Sequence, residues 1–145
     1  MKITINIDKT LSEDLGDFTL RNLTPELSKI ITQLQNFDFK LIATKNEQKI
    51  ILDFAKITTI YAANKHVYVL LDDKQEFILP QTLTELSSRL STDFLRISNS
   101  EIVNANKISH FEFTFGGKIK IYFKNGSHTY SSRGYLREIK RYFGL

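Results

Sequence analysis

The sequence predicts a mainly β fold of the α+β class, built from antiparallel sheets with a few short helices. Three observations predict it. Apolar and polar residues alternate with period two in most runs after Lys49, turn dipeptides such as Gly116-Gly117 and Asn125-Gly126 separate those runs, and helical spacing is confined to three short stretches. Phe and Tyr are plentiful (11 and 6) while Gly and Pro are few (6 and 2), which favours compact sheet over disorder.

Lys2 to Ile7 alternates Ile3, Ile5 and Ile7 with polar partners, the pattern of a half-buried strand. A helix is expected next, with Thr24 as N-cap, Pro25 at the first helical position and Glu26 near the positive end of the dipole. Leu27, Ile30, Ile31 and Leu34 follow at helical spacing, so one face of this helix is expected to be buried, and Asn36 to Phe39 closes it. The polar cluster Lys45-Asn46-Glu47-Gln48 is the sharpest boundary candidate, dividing a small strand-helix extension over 1–48 from a strand-rich domain over 49–145.

In that domain the expected strands are Ile50 to Phe54, Ile57 to Ala62, Val67 to Leu71 and Phe77 to Leu79, with Asp72-Asp73-Lys74 as a hairpin turn. Thr82-Leu83-Thr84-Glu85 fits a capping box, and Leu83, Leu86 and Leu90 share one side of the helix it opens. Ile108 to Phe115 and Lys118 to Phe123 alternate, and His128 to Tyr130 follows the Asn125-Gly126 turn. On the lysine-bearing strand Lys118, Lys120, Tyr122 and Lys124 form a wet face, and Ile119, Ile121 and Phe123 a dry one. A last helix carries Leu136, Ile139, Lys140 and Phe143 on one face and stops at Gly144.

A chain of 145 residues can bury one good core, or one core and a small appended layer. With no cysteine, disulfides, thiolate metal sites and a cysteine nucleophile are excluded. No apolar run reaches about 18 residues and no charged-then-apolar leader is visible, so the expected location is the cytoplasm. There is no phosphate-cradling Gly-rich loop, nucleophile elbow or paired-histidine metal motif, and neither an enzyme nor a cofactor is expected.

Two polar loops carry the functional signal. Phe94 to Asn104 holds Ser98, Asn99 and Ser100 between two apolar anchors, and Tyr130-Ser131-Ser132-Arg133-Gly134-Tyr135 lies near the C-terminus. Ser, Asn and Arg on fixed loops offer donors and acceptors to a phosphate or a base edge. From Arg96 onward nine basic residues stand against three acids, a bias that suits a polyanion partner or, equally, a solvated lysine-rich sheet face.

Four ordered features resemble the LytTR family of bacterial DNA-binding transcription regulators. They are Ile57-Thr58-Thr59-Ile60-Tyr61 with its following polar loop, Phe94-x-Arg96-Ile97-Ser98-x-Ser100-x-Ile102-Val103-Asn104, Phe115-Gly116-Gly117-Lys118-Ile119 with Lys124-Asn125-Gly126, and Tyr130-x-Ser132-Arg133-x-Tyr135. The resemblance implies a LytTR-like β-sandwich whose loops enter two successive major grooves of double-stranded DNA and touch the minor groove between. The family's contact positions fall on Asn64, Lys65 and His66, on Ser98 and Asn99, and on Arg133. In some members the base-reading arginine lies one place later, where this chain has Gly134. The front segment resembles the extension of stand-alone members, which implies packing on the domain or a homodimer. It also implies, for such members, a co-encoded membrane-protein antagonist.

Arg can bond guanine bidentately, and Asn and His can bond base edges or phosphates. Lys118, Lys120 and Ser132 are candidate phosphate contacts, Ser132 because an N-cap leaves free N–H groups beside it. Bland readings stand beside these. His66 also reads as an edge-strand histidine, His110 and His128 as plain sheet residues, Asn104 as a backbone-bonding turn residue, Arg133 as an exposed first-turn residue, and Ser131 and Ser132 as N-caps. The rival function is a protein-interaction or ligand-sensing module with a basic face.

Overall fold

The computed structural model describes residues 1–145. Helix α1 (Pro25–Gln35) begins where Thr24 caps it, the Thr24 hydroxyl accepting from the Leu27 N–H at 3.2 Å. Seven strands then build the main sheet: β1 (Ile42–Lys45), β2 (Gln48–Ile51), β3 (Ile57–Ala63), β4 (His66–Leu71), β5 (Glu76–Leu79), β6 (Phe94–Ser98) and β7 (Glu101–Asn104). They pair antiparallel in the order β2-β1-β5-β4-β3-β7-β6. Helix α2 (Leu83–Arg89) crosses between β5 and β6, with Thr82 accepting from the Glu85 N–H. A second sheet has β9 (Ile119–Phe123) between β8 (Ile108–Phe113) and β10 (His128–Tyr130), and helix α3 (Leu136–Phe143) follows.

Side-chain alternation divides the interior in two. The inner face of the main sheet, with Ile60, Val69, Phe77 and Ile102, packs against Leu83, Leu86 and Leu90 of the α2 region. The outer faces of β6 and β7, with Leu95, Ile97 and Val103, pack against Ile119, Ile121 and Phe123 of β9 and Ile139 of α3. The dry face expected of β9 is therefore the floor of the second core. Asn104 is structural, as its bland reading has it: buried, it donates to the Ile57 carbonyl at 2.9 Å and accepts from the Asn106 N–H. No helix is long and apolar enough to cross a membrane.

Three expectations are corrected. Lys2 to Ile7 forms no strand, and Ile3, Ile5 and Ile7 are exposed: alternation stabilises a strand only if another edge pairs with it, and no edge of this chain does. Helix α1 forms but fully buries no residue: Leu27 and Ile31 are half-buried, and Ile30 and Leu34 are exposed. Lys29 pairs with Asp93 at 3.4 Å, and Asn36 accepts from Arg89 Nε at 3.0 Å. The cluster Lys45 to Gln48 is not a boundary but a tight turn between the paired strands β1 and β2. Asn46 and Glu47 take φ of 50° and 65°, a left-handed turn the sequence hides because neither residue is glycine. Leu41 and Ala43 are fully buried, so the compact body starts at Leu41, ahead of the expected Lys49.

Leu86→Ala, at a side chain with no exposure, is expected to lower unfolding free energy by about 2–5 kcal/mol. Ile5→Ala should stay within about 0.5 kcal/mol. Chemical denaturation of the two variants distinguishes the packed body from the unpacked front.

Candidate nucleic-acid interface

Four turns come to one end of the molecule, held by backbone bonds between them. The β3–β4 turn is the two-residue link Asn64-Lys65, both left-handed at φ 50° and 63° and both exposed. Next to it, Ala62 of β3 donates its N–H to the Ser100 carbonyl at 2.8 Å, which ties β3 to the β6–β7 turn. That turn is tied in its own right to the loop before α3, for the Ser132 N–H donates to the Ile97 carbonyl at 2.9 Å. Ser131 fixes this loop to the second sheet: it is buried, its hydroxyl accepts from the Ile119 N–H at 3.0 Å, and its own N–H donates to the Ile119 carbonyl.

Two side chains set the shape of the β6–β7 turn, and the sequence marks neither for that role. Arg96 donates from Nε to the Ser98 carbonyl at 2.7 Å and from Nη2 to the Asn99 carbonyl at 2.6 Å. Counted in the sequence toward the basic bias, this guanidinium serves as an internal clamp. Tyr135 donates its hydroxyl to Asn99 Oδ1 at 2.7 Å, leaving the Asn99 amide NH2 free to donate outward. Ser98 is half-buried, its hydroxyl accepting from the Ser100 N–H at 3.2 Å, so it shapes the turn more than it presents itself.

Arg133 begins a short 3-10 turn and is exposed, and its side chain crosses the Gly116-Gly117 turn. Cβ atoms built on these glycines would lie 2.9 Å from Arg133 Nη2 and 3.5 Å from Arg133 Cγ. Both glycines have positive φ, 86° and 80°. Both are needed for the bend, and Gly116 also leaves room for the Arg133 guanidinium. Ser132 occupies the N-cap position without making a side-chain cap bond, and Ser131 is occupied elsewhere, so neither is the capping serine the sequence allows.

The other candidates separate. His66 opens β4 and is exposed, its ring edge-on to Tyr68 at 6.1 Å. Since β4 lies between β5 and β3, His66 is no edge-strand residue but stands at the mouth of the Asn64-Lys65 turn. Lys118 is exposed beside the Gly116-Gly117 turn. Lys120 lies instead on the outer face of the second sheet, its ammonium 4.8 Å from the Tyr122 ring centre and 5.8 Å from that of Tyr130. His110 stacks on Tyr122 at 4.3 Å, with His128 on its other side, which makes both plain sheet residues.

An open cleft of about 420 Å³ lies between the sheets, lined in part by Thr59, Tyr61, Glu76, Glu101, His128 and Thr129. Its carboxylates give it the wrong sign for a phosphate. Glu101 joins the sheets by accepting from Thr59 at 2.7 Å and Thr129 at 2.6 Å. Burial, and then the hydrogen bond to Glu76, push the Tyr61 phenol up to about 12. What that shift contributes to stability is present below the ordinary tyrosine range and is lost as pH rises through about 12. No three His, Asp or Glu side chains are placed to hold a metal ion.

The model of the LytTr DNA-binding domain matches residues 47–144. The chain belongs to the LytTR family. Its fold is that of a solved LytTr DNA-binding domain from a putative methyl-accepting/DNA response regulator of Bacillus cereus, with TM-score 0.69 and 22% identity over 73% of this chain and 97% of that one. Two uncharacterized HTH-type transcriptional regulators of Staphylococcus aureus, strains NCTC 8325 and MSSA476, are each 31% identical over 97% of this chain and 96% of their own length. These relatives extend the likeness through the front segment, which the LytTr domain match leaves out. Consecutive helices here are separated by runs of strands, so the HTH in those names does not describe this LytTR fold.

Gly116→Ala is expected to cost about 1–2 kcal/mol for its left-handed backbone, and more if Arg133 must move. Gly134→Ala, with nothing near its Cβ and no positive φ, should be neutral or slightly stabilising. Parallel thermal melts read the difference.

Proposed function

We infer that the four-turn end is the DNA-reading surface of a sequence-specific transcription regulator. The observation that carries this is the joining of Asn64-Lys65, Ser98 to Ser100, Ser132-Arg133 and Gly116 to Lys118 into one end of a LytTR domain. Base readout needs donors held in register, and backbone bonds between turns supply that without ordering long side chains on binding. Arg133 has its guanidinium free over a glycine platform and suits bidentate bonding to guanine. Asn99 presents an amide donor fixed by Tyr135. Lys65, His66 and Lys118 are placed for phosphates, as is the Ser132 hydroxyl.

Lys120 is assigned a lesser part, since the rings of its own sheet already hold it. Residues 41–145 form the proposed DNA-binding unit, because the core begins at Leu41. The rival, an acidic protein partner on the basic face, would need no sequence-dependent contact.

Arg133→Ala is expected to lose about 1–3 kcal/mol on the preferred duplex and little on scrambled duplex, read by fluorescence anisotropy at one salt concentration. Lys118→Ala should weaken both duplexes alike and flatten the salt slope by about 0.9. A random-duplex selection that enriches no sequence would give the rival its support.

A further inference from the structure

A groove of about 230 Å³ separates helix α1 from the body. Gln33, Asn36 and Phe37 line it from the α1 side, and Phe39, Phe54 and Arg89 from the body. Arg89 is the one charged residue in this lining, and neither ion pair of the molecule involves it. Its guanidinium lies 4.3 Å from the Phe39 ring centre, and its Nε donates to Asn36 Oδ1 at 3.0 Å. The ring and that bond hold the plane of the fork, while both Nη groups keep their hydrogens for another acceptor. The apolar part of the groove is also incompletely used. Phe39 and Phe54 meet at 6.2 Å between ring centres, tilted by 39°, and Phe37 is 69% exposed.

We propose that this groove binds a small aryl carboxylate, with the carboxylate on Arg89 and the ring among Phe37, Phe39 and Phe54. Charge selects the headgroup. One cation and no acid in the lining match a monoanion, whereas a phosphate dianion would call for a second cation. The two free Nη groups of a planar guanidinium meet the two oxygens of a carboxylate in parallel. Ring packing selects the body of the ligand. Aromatic rings attract at centre separations of about 4.5–7 Å, and a third ring beside the Phe39 and Phe54 pair would also cover Phe37. Size limits it: sites for drug-sized ligands run to about 300–1,000 Å³, so this groove takes a single ring with a short acid arm. Because α1 forms one wall, the ligand ties this helix to the body more firmly than the Lys29 to Asp93 pair and the Arg89 to Asn36 bond do alone.

The test uses the full chain and 3-phenylpropionate without DNA, and so stands apart from the reading of the four-turn end. Isothermal titration should show one saturable site with a Kd below about 1 mM. The alcohol 3-phenylpropanol keeps the ring and loses the charge, acetate keeps the charge and loses the ring, and each should bind at least about tenfold more weakly. Arg89→Met, at an exposed side chain, should keep the native near-UV spectrum and weaken 3-phenylpropionate at least about tenfold. Amide hydrogen exchange over Ile30 to Gln35 should slow when the ligand binds the wild type. No saturable heat at about 10 mM ligand overturns the proposal. Equal binding of 3-phenylpropanol, or by Arg89→Met, overturns it by removing the guanidinium from the site. Equal binding of acetate removes the ring cluster from it, and saturable binding that leaves exchange in α1 unchanged puts the ligand elsewhere; either result overturns it as well.

Discussion

The β6–β7 hairpin is the element on which the rest depends, because it is buried from both sides. Ile102 enters the inner core beneath α2, while Leu95, Ile97 and Val103 enter the outer core beneath β9 and α3. Period-two geometry forces this division, and a slip of one residue would send each set into the wrong core. Register is therefore fixed twice over. The turn emerging from such a strand pair, Ser98 to Ser100, has little freedom left, and the neighbouring turns are bonded to it.

Polar groups that could have served a ligand are used to keep this arrangement. Arg96 holds two carbonyls of the turn, Ser131 holds the start of β9, Glu101 links a threonine from each sheet, and Asn104 bonds across to Ile57. A half-buried carbonyl left unbonded is expensive, so these contacts specify geometry as much as they stabilise it. What remains free at that end is a short set: the Asn64-Lys65 turn, the Asn99 amide, Arg133 and Lys118. Gly116 leaves room for the Arg133 guanidinium beside the adjoining turn, so that end of the molecule is held by backbone contacts.

The front of the chain obeys a different logic. Its apolar residues are as numerous as those of a core element but find no room in either core, both being closed by α2 and by the second sheet.

Much of the fold is legible in the sequence because its signals are local. Thr24 and Thr82 cap the helices expected of them, Asn125-Gly126 turns a hairpin, and Ile119, Ile121 and Phe123 face inward as their alternation requires. Asn64, Lys65, Asn99 and Arg133 lie in turns or at their edges, as the polar residues between apolar runs predict. What only the tertiary structure decided concerns pairs of segments. It left Ile3, Ile5 and Ile7 without a strand to join, left α1 without a fully buried residue, and hid the β1–β2 hairpin behind two non-glycine residues. It also set Arg96 to hold the β6–β7 turn, and brought Tyr135 onto Asn99 and Arg133 across the Gly116-Gly117 turn. Periodicity shows which side of an element is apolar, but burial, pairing and the availability of a charge depend on what the fold brings opposite.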